Sequence, residues 1–436
     1  MRFWENNEYM PKSRVVTFGC RLNHYESALI EKHLKSIDPA LETVVFNTCA
    51  VTAEAERQAK QAIRSLKRDN PETRIVVTGC GAQLNAKMFE AMPEVSTVLG
   101  NREKMEAAFL AKPQGTFVGE MEKVSALPAH TPLPSTEPDQ KKRVFLQIQN
   151  GCDHACTFCV ITKARGPSQS IAKEKLVAQI NALVETGVDE VVLTGVDLTA
   201  YGQDLEVPLT LTDLVRFLLV KVPQLKRLRI SSLDPAEIDA AFFQLVAKEK
   251  RLMPHFHISL QAGADLILKR MKRRHLRQDV ITFCQRLRRV RPDAVLGADI
   301  IVGFPTETEA HFQDTLDLVE ECRIALLHVF PFSPRPETPA ARMPQVPKAV
   351  AKERSQRLRR LGDKVYHDTL ESFVGQTCSV LLERAQRGYN AHFLPVVVET
   401  SPATRGVLEN VLIEGIVEKE GKKHLLGRPL EVRCVA

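Results

Sequence analysis

The most informative segment of the chain reads Val144-Phe-Leu-Gln-Ile-Gln-Asn-Gly-Cys-Asp-His-Ala-Cys-Thr-Phe-Cys159. Its beginning predicts a strand over Val144–Gln149, and three cysteines follow this strand at the spacing C-x3-C-x2-C. Helical patterns such as Lys173–Glu185, Leu209–Val220 and Asp279–Val290 alternate with five further strand-like runs: Glu190–Leu193, Arg227–Ile230, His255–Leu260, Ala298–Val302 and Leu326–Phe330. Parallel strands joined by crossover helices within residues 143–343 predict a partial (β/α)6 barrel of the TIM type.

The region before this barrel repeats a strand followed by a helix. The strand-like runs are Arg14–Phe18, Thr43–Phe46 and Arg74–Thr78, and the helical patterns after them are Glu26–Leu34, Ala53–Leu66 and Ala86–Ala91. This alternation predicts an α/β domain with a parallel sheet over residues 14–112. Residues 113–142 carry repeated prolines, so we expect a linker there.

The region after the barrel changes character twice. A second proline-rich stretch precedes a basic helical pattern, so residues 344–370 predict a basic helical linker. Short alternating runs punctuated by glycines follow, namely Gln376–Leu382, Phe393–Val398, Val407–Ile416 and Leu430–Val435. We therefore expect a small antiparallel β-barrel over residues 371–436, and an α/β fold class for the chain as a whole.

Composition narrows the class of protein. The 436 residues are 44% apolar and 26% charged, which is globular, and they hold no apolar run of membrane-spanning length. The amino terminus lacks an apolar leader segment, so we expect a cytoplasmic protein in which the ten cysteines serve metals or catalysis rather than disulfides. A net charge of +7 permits a polyanionic partner.

Cys152, Cys156 and Cys159, the barrel trio, lie where such barrels keep their chemistry. Thiolates are the usual ligands of iron–sulfur clusters, and a [4Fe–4S] cluster takes four ligands, so three thiolates would leave one iron open to a small molecule. The alternative is a structural zinc site with His154 as the fourth ligand. His154 is too close in sequence to Cys152 and Cys156 for a comfortable tetrahedral arrangement.

Cys20, Cys49 and Cys80, the amino-terminal trio, each follow one strand of the first domain at intervals of about 30 residues. Parallel strands place their carboxyl ends at one edge of a sheet, so these thiols should meet there and hold a second cluster. The alternative is three buried core cysteines. The remaining cysteines share no spacing, and we expect core packing for them: Cys284, Cys322, Cys378 and Cys434.

The cysteine spacing of the barrel trio, with the aromatic Phe158 before the last cysteine, resembles the radical S-adenosylmethionine (SAM) superfamily. The resemblance implies that the barrel trio holds a [4Fe–4S] cluster whose open iron binds the amine and carboxylate of SAM. It also implies that one-electron reduction cleaves SAM to a 5′-deoxyadenosyl radical, so that the cofactor carries the difficult chemistry.

The arrangement of two cysteine trios and a β-barrel tail resembles the methylthiotransferases. The motifs that carry the resemblance are Thr17-Phe-Gly-Cys-Arg-Leu-Asn-His-Tyr-Glu-Ser27, Phe46-Asn-Thr-Cys-Ala-Val-Thr52, Thr78-Gly-Cys80, Ala164-Arg-Gly166, Leu193-Thr-Gly-Val-Asp197, Ser259-Leu-Gln-Ala-Gly263, Asp299-Ile-Ile-Val-Gly-Phe-Pro305 and Phe330-Pro-Phe-Ser-Pro-Arg-Pro336. The resemblance implies two [4Fe–4S] clusters, with one SAM molecule as methyl donor and another as radical source, and a tail that is a TRAM RNA-binding domain.

The opening motif most resembles the branch that acts on N6-threonylcarbamoyladenosine at position 37 of tRNA. The alternatives within the family are isopentenyladenosine 37 and an aspartate of a small-subunit ribosomal protein. Outside it, the chain could be a zinc-stabilised RNA-binding protein without catalysis. The expected partners are the tRNA anticodon loop and a reduced electron donor such as a flavodoxin or ferredoxin, and we expect a monomer that binds no membrane.

Four residues are candidate SAM contacts: Gly195, Gln261 and Gly303 at the ends of strands, and Phe158 in the cysteine loop, which could pack on adenine. Turn geometry could itself require the glycines, and Phe158 could simply pack on the barrel rim. Two basic runs could contact RNA phosphates or could be solvated faces: Lys269–Arg277, and Lys348, Lys352, Arg354, Arg357, Arg359, Arg360 and Lys364.

Overall fold

The computed structural model describes residues 13–36, 42–121, 142–384, 386–399 and 407–430. The α/β fold class, with an amino-terminal parallel sheet, a central partial barrel and a carboxyl-terminal barrel of strands, is confirmed. In the described part of the chain no helix is long and apolar enough to span a membrane.

The first domain is a parallel sheet in the order β1-β2-β3-β4-β5. Its strands are Arg14–Thr17 (β1), Thr43–Thr48 (β2), Arg74–Gly79 (β3), Thr97–Leu99 (β4) and Gly115–Phe117 (β5). Its helices are Arg21–Leu34 (α1), Ala53–Asp69 (α2), Cys80–Leu84 (α3), Ala86–Glu90 (α4) and Ala107–Leu110 (α5). The sheet extends past the predicted boundary at residue 112, because residues 115–117 pair with β4 instead of belonging to the linker.

The central domain contains all six predicted barrel strands. They are Arg143–Gln147 (β6), Glu190–Thr194 (β9), Arg227–Ile230 (β10), His255–Gln261 (β11), Val295–Val302 (β12) and Ile324–Pro331 (β13). They form two parallel three-stranded sheets, joined where the Leu233 amide donates to the His257 carbonyl and the Ser259 amide donates to the Leu233 carbonyl. No pairing joins β6 to β13 among the described residues, so the barrel is partial.

Helices cover the outside of this partial barrel. They are Ile161–Arg165 (α6), Lys173–Glu185 (α7), Leu211–Lys221 (α8), Ala240–Lys248 (α9), Asp265–Arg270 (α10), Arg277–Val290 (α11) and Glu309–Glu321 (α12). The prediction of α7 matches its observed bounds. A small antiparallel pair that the sequence pattern does not reveal, Gln149–Asn150 (β7) with Gln169–Ser170 (β8), brackets the cysteine loop and α6.

The carboxyl-terminal region begins with the long helix Lys348–Glu371 (α13). The strands after it form a closed barrel in the order β14-β15-β16-β18-β17, from Thr377–Arg384 (β14), Arg387–Asn390 (β15), Pro395–Val397 (β16), Leu408–Lys419 (β17) and Lys422–Pro429 (β18). All pairs are antiparallel except β16 with β18, which is parallel. Of the predicted strand Leu430–Val435, residues 431–435 lie outside the described residues.

The first domain and the central barrel share one hydrophobic core. Leu22, Tyr25 and Leu29 on the inner face of α1 pack in the same cluster as Leu146 of β6 and Leu193 of β9. Burial of several large side chains at one junction is worth about 1.5–3 kcal/mol for each of them, so α1 binds firmly to the barrel. The sheet edge with the amino-terminal trio is therefore held against the mouth of the barrel.

Candidate active site

The barrel trio lies on a loop that its surroundings hold in place. Gly151 has φ +69°, and a Cβ there would come within 1.8 Å of the Pro167 carbonyl oxygen, so the loop closes tightly on its own return strand. The buried Gln149 amide donates to the Gly151 carbonyl (2.7 Å) and the Ser168 hydroxyl (2.9 Å). Its oxygen accepts from the Val196 and Asp197 amides (2.9 Å each), which ties the loop to the end of β9.

Each thiol of the barrel trio has a polar neighbour. The Cys152 thiol lies 3.7 Å from Asp197 Oδ2, the Arg273 guanidinium donates to Cys156 Sγ at 3.6 Å, and the Ile161 amide donates to Cys159 Sγ at 3.4 Å. Burial, followed by the Asp197 carboxylate, raises the pKa of Cys152 to about 12, and burial raises the pKa of Cys159 to about 11. Thiols of this kind ionise on binding a metal, which takes the place of the proton.

The amino-terminal trio meets at the carboxyl edge of the first sheet, as the strand repeat predicts. Cys20 precedes α1, Cys49 follows β2, and Cys80 is the first residue of α3. Gly19 has φ +102°, and a Cβ there would come within 2.9 Å of Cys49 Sγ. Burial, with a smaller contribution from the charges that Cys80 and Cys20 carry as thiolates, raises the pKa of Cys49 to about 11, so the three sulfurs are electrostatic neighbours.

The two trios face each other across a thin apolar contact. Ala50 and Cys80 of the first domain pack with Val160 and Ala164 of the central domain. The Asn101 amide spans the same junction, because it donates to Cys80 Sγ (3.7 Å) and to the Ala164 carbonyl (2.8 Å). As a thiolate Cys80 also raises the pKa of Cys159, so one cysteine of each trio lies within electrostatic reach of the other.

The donor sets fit iron–sulfur clusters. All six cysteines are free thiols gathered in threes, and thiolates are the ligands that such clusters take. The zinc alternative needs His154 as a fourth ligand, but its imidazole Nε2 lies 3.1 Å from Asp197 Oδ2 and is engaged there. Cys284, Cys322 and Cys378 are buried in hydrophobic clusters, as predicted, and Cys434 lies outside the described residues.

A buried network of charges lies beside the amino-terminal trio, and no spacing in the sequence reveals it. Glu26 accepts from Lys104 Nζ (2.6 Å) and from Arg165 Nη1 (2.8 Å). Burial raises the pKa of Glu26, but these two cations outweigh burial and lower it to about 2. The partners come from α1, from the turn after β4 and from α6, so only the folded chain brings them together.

The four candidate SAM contacts lie at the rim of the barrel, and the structure gives three of them packing roles. A Cβ on Gly195 would lie 2.8 Å from Gln149 Oε1, and a Cβ on Gly303 would lie 2.5 Å from Ala351 Cβ of α13. The Phe158 ring meets Phe304 edge to face at 6.3 Å. Gln261 ends β11 with φ +70°. Their contact with SAM stays a prediction.

Polar side chains line the inside of the barrel between its two ends. Asp299 Oδ1 lies 3.1 Å from His257 Nε2 and 2.9 Å from His328 Nδ1. Burial raises the pKa of Asp299, but the hydrogen bonds from both imidazoles hold it well below its usual range. Arg21 of α1 is in electrostatic contact with Asp299, and burial together with Arg229 and Arg143 lowers its pKa to about 10. The inside of the barrel is therefore polar and charged.

The two basic runs are largely paired inside the protein. In the first, Arg273 donates to Asp234 Oδ2 (2.7 Å), Arg274 to Asp197 Oδ2 (3.0 Å), and Arg277 to Glu321 Oε2 (3.1 Å).

In the second basic run, Arg354 is paired with Glu307 (2.8 Å), Arg357 with Glu309 (2.6 Å) and Lys364 with Glu320 (3.2 Å). Phosphate contact stays a prediction for the exposed members of both runs: Lys269, Lys272, Lys348, Lys352, Arg359, Arg360 and Lys364.

Comparison with known proteins agrees with this architecture. Residues 146–319 match the Radical SAM superfamily, and residues 12–100 match the uncharacterized protein family UPF0004. Among solved structures, the radical S-adenosylmethionine methyltransferase TsrM from Kitasatospora setae, with cobalamin and a [4Fe-4S] cluster bound, aligns with a TM-score of 0.56 at 14% identity, covering 76% of this chain and 77% of that one. A partial barrel with a C-x3-C-x2-C loop after its first strand thus defines a radical SAM enzyme.

Two relatives show which family within the radical SAM superfamily the chain resembles. A threonylcarbamoyladenosine tRNA methylthiotransferase of Rickettsia prowazekii is 48% identical over 93% of this chain and 96% of its own length. A tRNA-2-methylthio-N(6)-dimethylallyladenosine synthase of Erythrobacter litoralis is 36% identical over 86% of this chain and 87% of its own length. The chain belongs to the radical SAM tRNA methylthiotransferases, which confirms the resemblance found in its cysteine motifs.

Proposed function

We propose that the protein converts N6-threonylcarbamoyladenosine at position 37 of tRNA to its 2-methylthio derivative, with two [4Fe–4S] clusters and SAM. The observation that carries the proposal is the pair of free cysteine trios that face each other across the contact of Cys80, Val160 and Ala164. One trio would suffice for a radical SAM enzyme. A second trio at the same junction gives the transferred sulfur a place beside the radical source.

The residues of the chain divide the work between binding and orientation. Cys152, Cys156 and Cys159 would hold one cluster, and Cys20, Cys49 and Cys80 the other. When bound, these groups supply the radical and sulfur chemistry that an unreactive aromatic C–H bond requires. Arg273 would hold a positive charge at Cys156, Asn101 would align Cys80 with α6, and the polar lumen would bind the rest of SAM.

The relatives support this choice of substrate. The relative from Rickettsia prowazekii is named for threonylcarbamoyladenosine and shares 48% identity, whereas two relatives named for dimethylallyladenosine share 36% and 34%. Within the proposal the carboxyl-terminal barrel is a TRAM domain that binds the tRNA near the anticodon loop. A reduced flavodoxin or ferredoxin would supply electrons to a monomer in the cytoplasm.

Nucleoside mass spectrometry of tRNA tests the proposal. A strain without the gene should lack the 2-methylthio form of N6-threonylcarbamoyladenosine while keeping the 2-methylthio forms of isopentenyladenosine nucleosides. A plasmid copy of the gene should restore it, and a copy with Cys152→Ala should not. Loss of a methylthio group from isopentenyladenosine alone, or from a ribosomal protein alone, would reassign the substrate. A colourless zinc protein after anaerobic purification would support the RNA-binding alternative.

A further inference from the structure

Arg165 joins the two cysteine trios through one buried guanidinium. It ends α6, which begins two residues after Cys159, and its side chain is 2% exposed. It donates to both Glu26 oxygens (2.8 and 3.2 Å), to Asn23 Oδ1 (2.8 Å) and to Asn150 Oδ1 (3.1 Å). Glu26 and Asn23 lie on α1 just after Cys20, and Asn150 lies just before the loop of the barrel trio, so the guanidinium spans both domains.

Two buried basic side chains, Arg165 and Lys104, share the single carboxylate of Glu26. Lys104 Nζ donates both to Glu26 Oε2 (2.6 Å) and to Asn101 Oδ1 (2.7 Å), while burial lowers its pKa. A buried guanidinium that shares its carboxylate in this way is stabilised by a further anion beside it.

The neighbouring acidic groups are the thiols of the amino-terminal trio. Burial opposes the charge on Arg165, but Cys80, Glu26 and Cys20 as anions outweigh burial and raise the pKa of Arg165 well above its usual value. A [4Fe–4S] cluster held by three thiolates carries net negative charge, and reduction adds one more electron.

We propose that Arg165 is a positioning residue that holds the two trios in register and offsets the negative charge of the cluster at Cys20, Cys49 and Cys80. The inference rests on the proposed two-cluster function. Two variants distinguish the effect of the positive charge from the effect of the hydrogen-bonding geometry. Arg165→Gln removes the charge and most of the hydrogen bonds, whereas Arg165→Lys keeps the charge and loses the forked geometry that reaches Glu26, Asn23 and Asn150 together.

The first measurement is the reduction potential of the amino-terminal cluster. A full-length chain with alanine at Cys152, Cys156 and Cys159 leaves only this cluster, so its electron paramagnetic resonance signal is unambiguous. Adding Arg165→Gln should make reduction at least tenfold less favourable, which is about 59 mV for a one-electron couple. Adding Arg165→Lys should shift the equilibrium less than tenfold. Arg227→Gln, which removes a buried arginine that is paired with Glu190 and bonded to Ser379 of the tail barrel, should leave it unchanged.

The second measurement uses the enzyme with both clusters. Arg165→Lys and Arg165→Gln should each cleave SAM but yield at least tenfold less methylthiolated product per SAM cleaved, because the trios are no longer held together. Failure of the alanine variant to hold about four iron atoms overturns the proposed function itself. If it holds them, an unchanged potential in Arg165→Gln, or an unchanged product ratio in Arg165→Lys, overturns only the role of Arg165.

Discussion

Single cysteines of the two trios should have separable roles, because each trio lies on a different domain. Cys156→Ala should abolish SAM cleavage, since the barrel trio is the one that matches radical SAM proteins. Cys49→Ala should keep cleavage and lose methylthiolation. Chromatography of 5′-deoxyadenosine together with nucleoside mass spectrometry measures both activities. Cys378→Ala, in the core of the tail barrel, is the control, and methylthiolation retained by Cys49→Ala would contradict the two-cluster assignment.

Glu190 makes folding stability depend on pH. Glu190 is the first residue of β9, so it lies at the end of the central barrel where the strands begin, which is the lower end. It lies among three arginines, with Arg229 Nε at 2.8 Å and Arg227 Nη1 at 3.4 Å. Burial raises its pKa, but Arg229 and Arg143 outweigh burial and lower the pKa from 4.5 to about 2. Because the pKa of Glu190 is lower in the folded than in the unfolded protein, the ionised carboxylate stabilises the fold by about 3 kcal/mol at pH values above about 4.5. This contribution is lost as the pH falls from about 4.5 to 2.

The variant Glu190→Gln should therefore be less stable than the parent at pH 7 by about 3 kcal/mol, because its arginines lose their counter-ion. The difference should shrink as the pH falls from 4.5 toward 2, since the parent then gains the proton. Urea unfolding at a series of pH values measures it, with the exposed Glu371→Gln as control. A difference between parent and variant that is constant down to pH 3 would show that the Glu190 carboxylate is not responsible.

At the scale of elements, the pair β7–β8 and the Gln149 side chain form a clamp on the barrel trio. Gln149→Leu keeps the volume but removes the bonds to the Gly151 carbonyl, Ser168 and the end of β9. We expect this variant to lose the barrel cluster several-fold faster on dilution and to keep the amino-terminal cluster. Iron content and the paramagnetic resonance signal of each cluster measure the loss.

The buried Gln179 of α7 provides the matched control for this clamp, as Gln179→Leu changes a residue remote from both trios. Equal rates of iron loss from Gln149→Leu and Gln179→Leu would exclude a specific clamp. A loss of both clusters together in Gln149→Leu would instead indicate global unfolding.

The elements that the sequence predicts are those with a periodic apolar pattern. The strand repeat that ends in Cys20, Cys49 and Cys80 is visible because β2 and β3 are buried at every position. The short elements around the trios, α3, α6 and β7–β8, have no such pattern because contacts distant in sequence hold them. For the same reason the pairing of Arg165 with Glu26, 139 residues earlier, could not be predicted.

At the scale of the whole molecule, the carboxyl-terminal barrel closes the lower end of the central barrel. The Phe393 ring is stacked on His255 (5.2 Å) and Tyr389 (4.9 Å), and the guanidiniums of Arg143 (4.8 Å) and Arg229 (5.0 Å) lie over it. Arg227 also donates to the Ser379 carbonyl of β14 at 2.6 Å. Arg21, the residue after Cys20, also lies over this ring (5.5 Å), so side chains of all three domains meet at Phe393.

Phe393→Ala should loosen this lower junction and leave the trios intact. The substitution removes a half-buried ring that several charged groups share, so we expect a loss of about 2 kcal/mol in the free energy of unfolding. Limited proteolysis should release the tail barrel several-fold faster, while the iron content stays at the parent value. Phe217→Ala removes a ring that meets only Lys173 and Lys221 among the described cations, and it should not change tail release. A loss of iron in Phe393→Ala would mean that this junction and the trios are coupled, by way of Arg21 beside Cys20, and that the domains unfold as one unit.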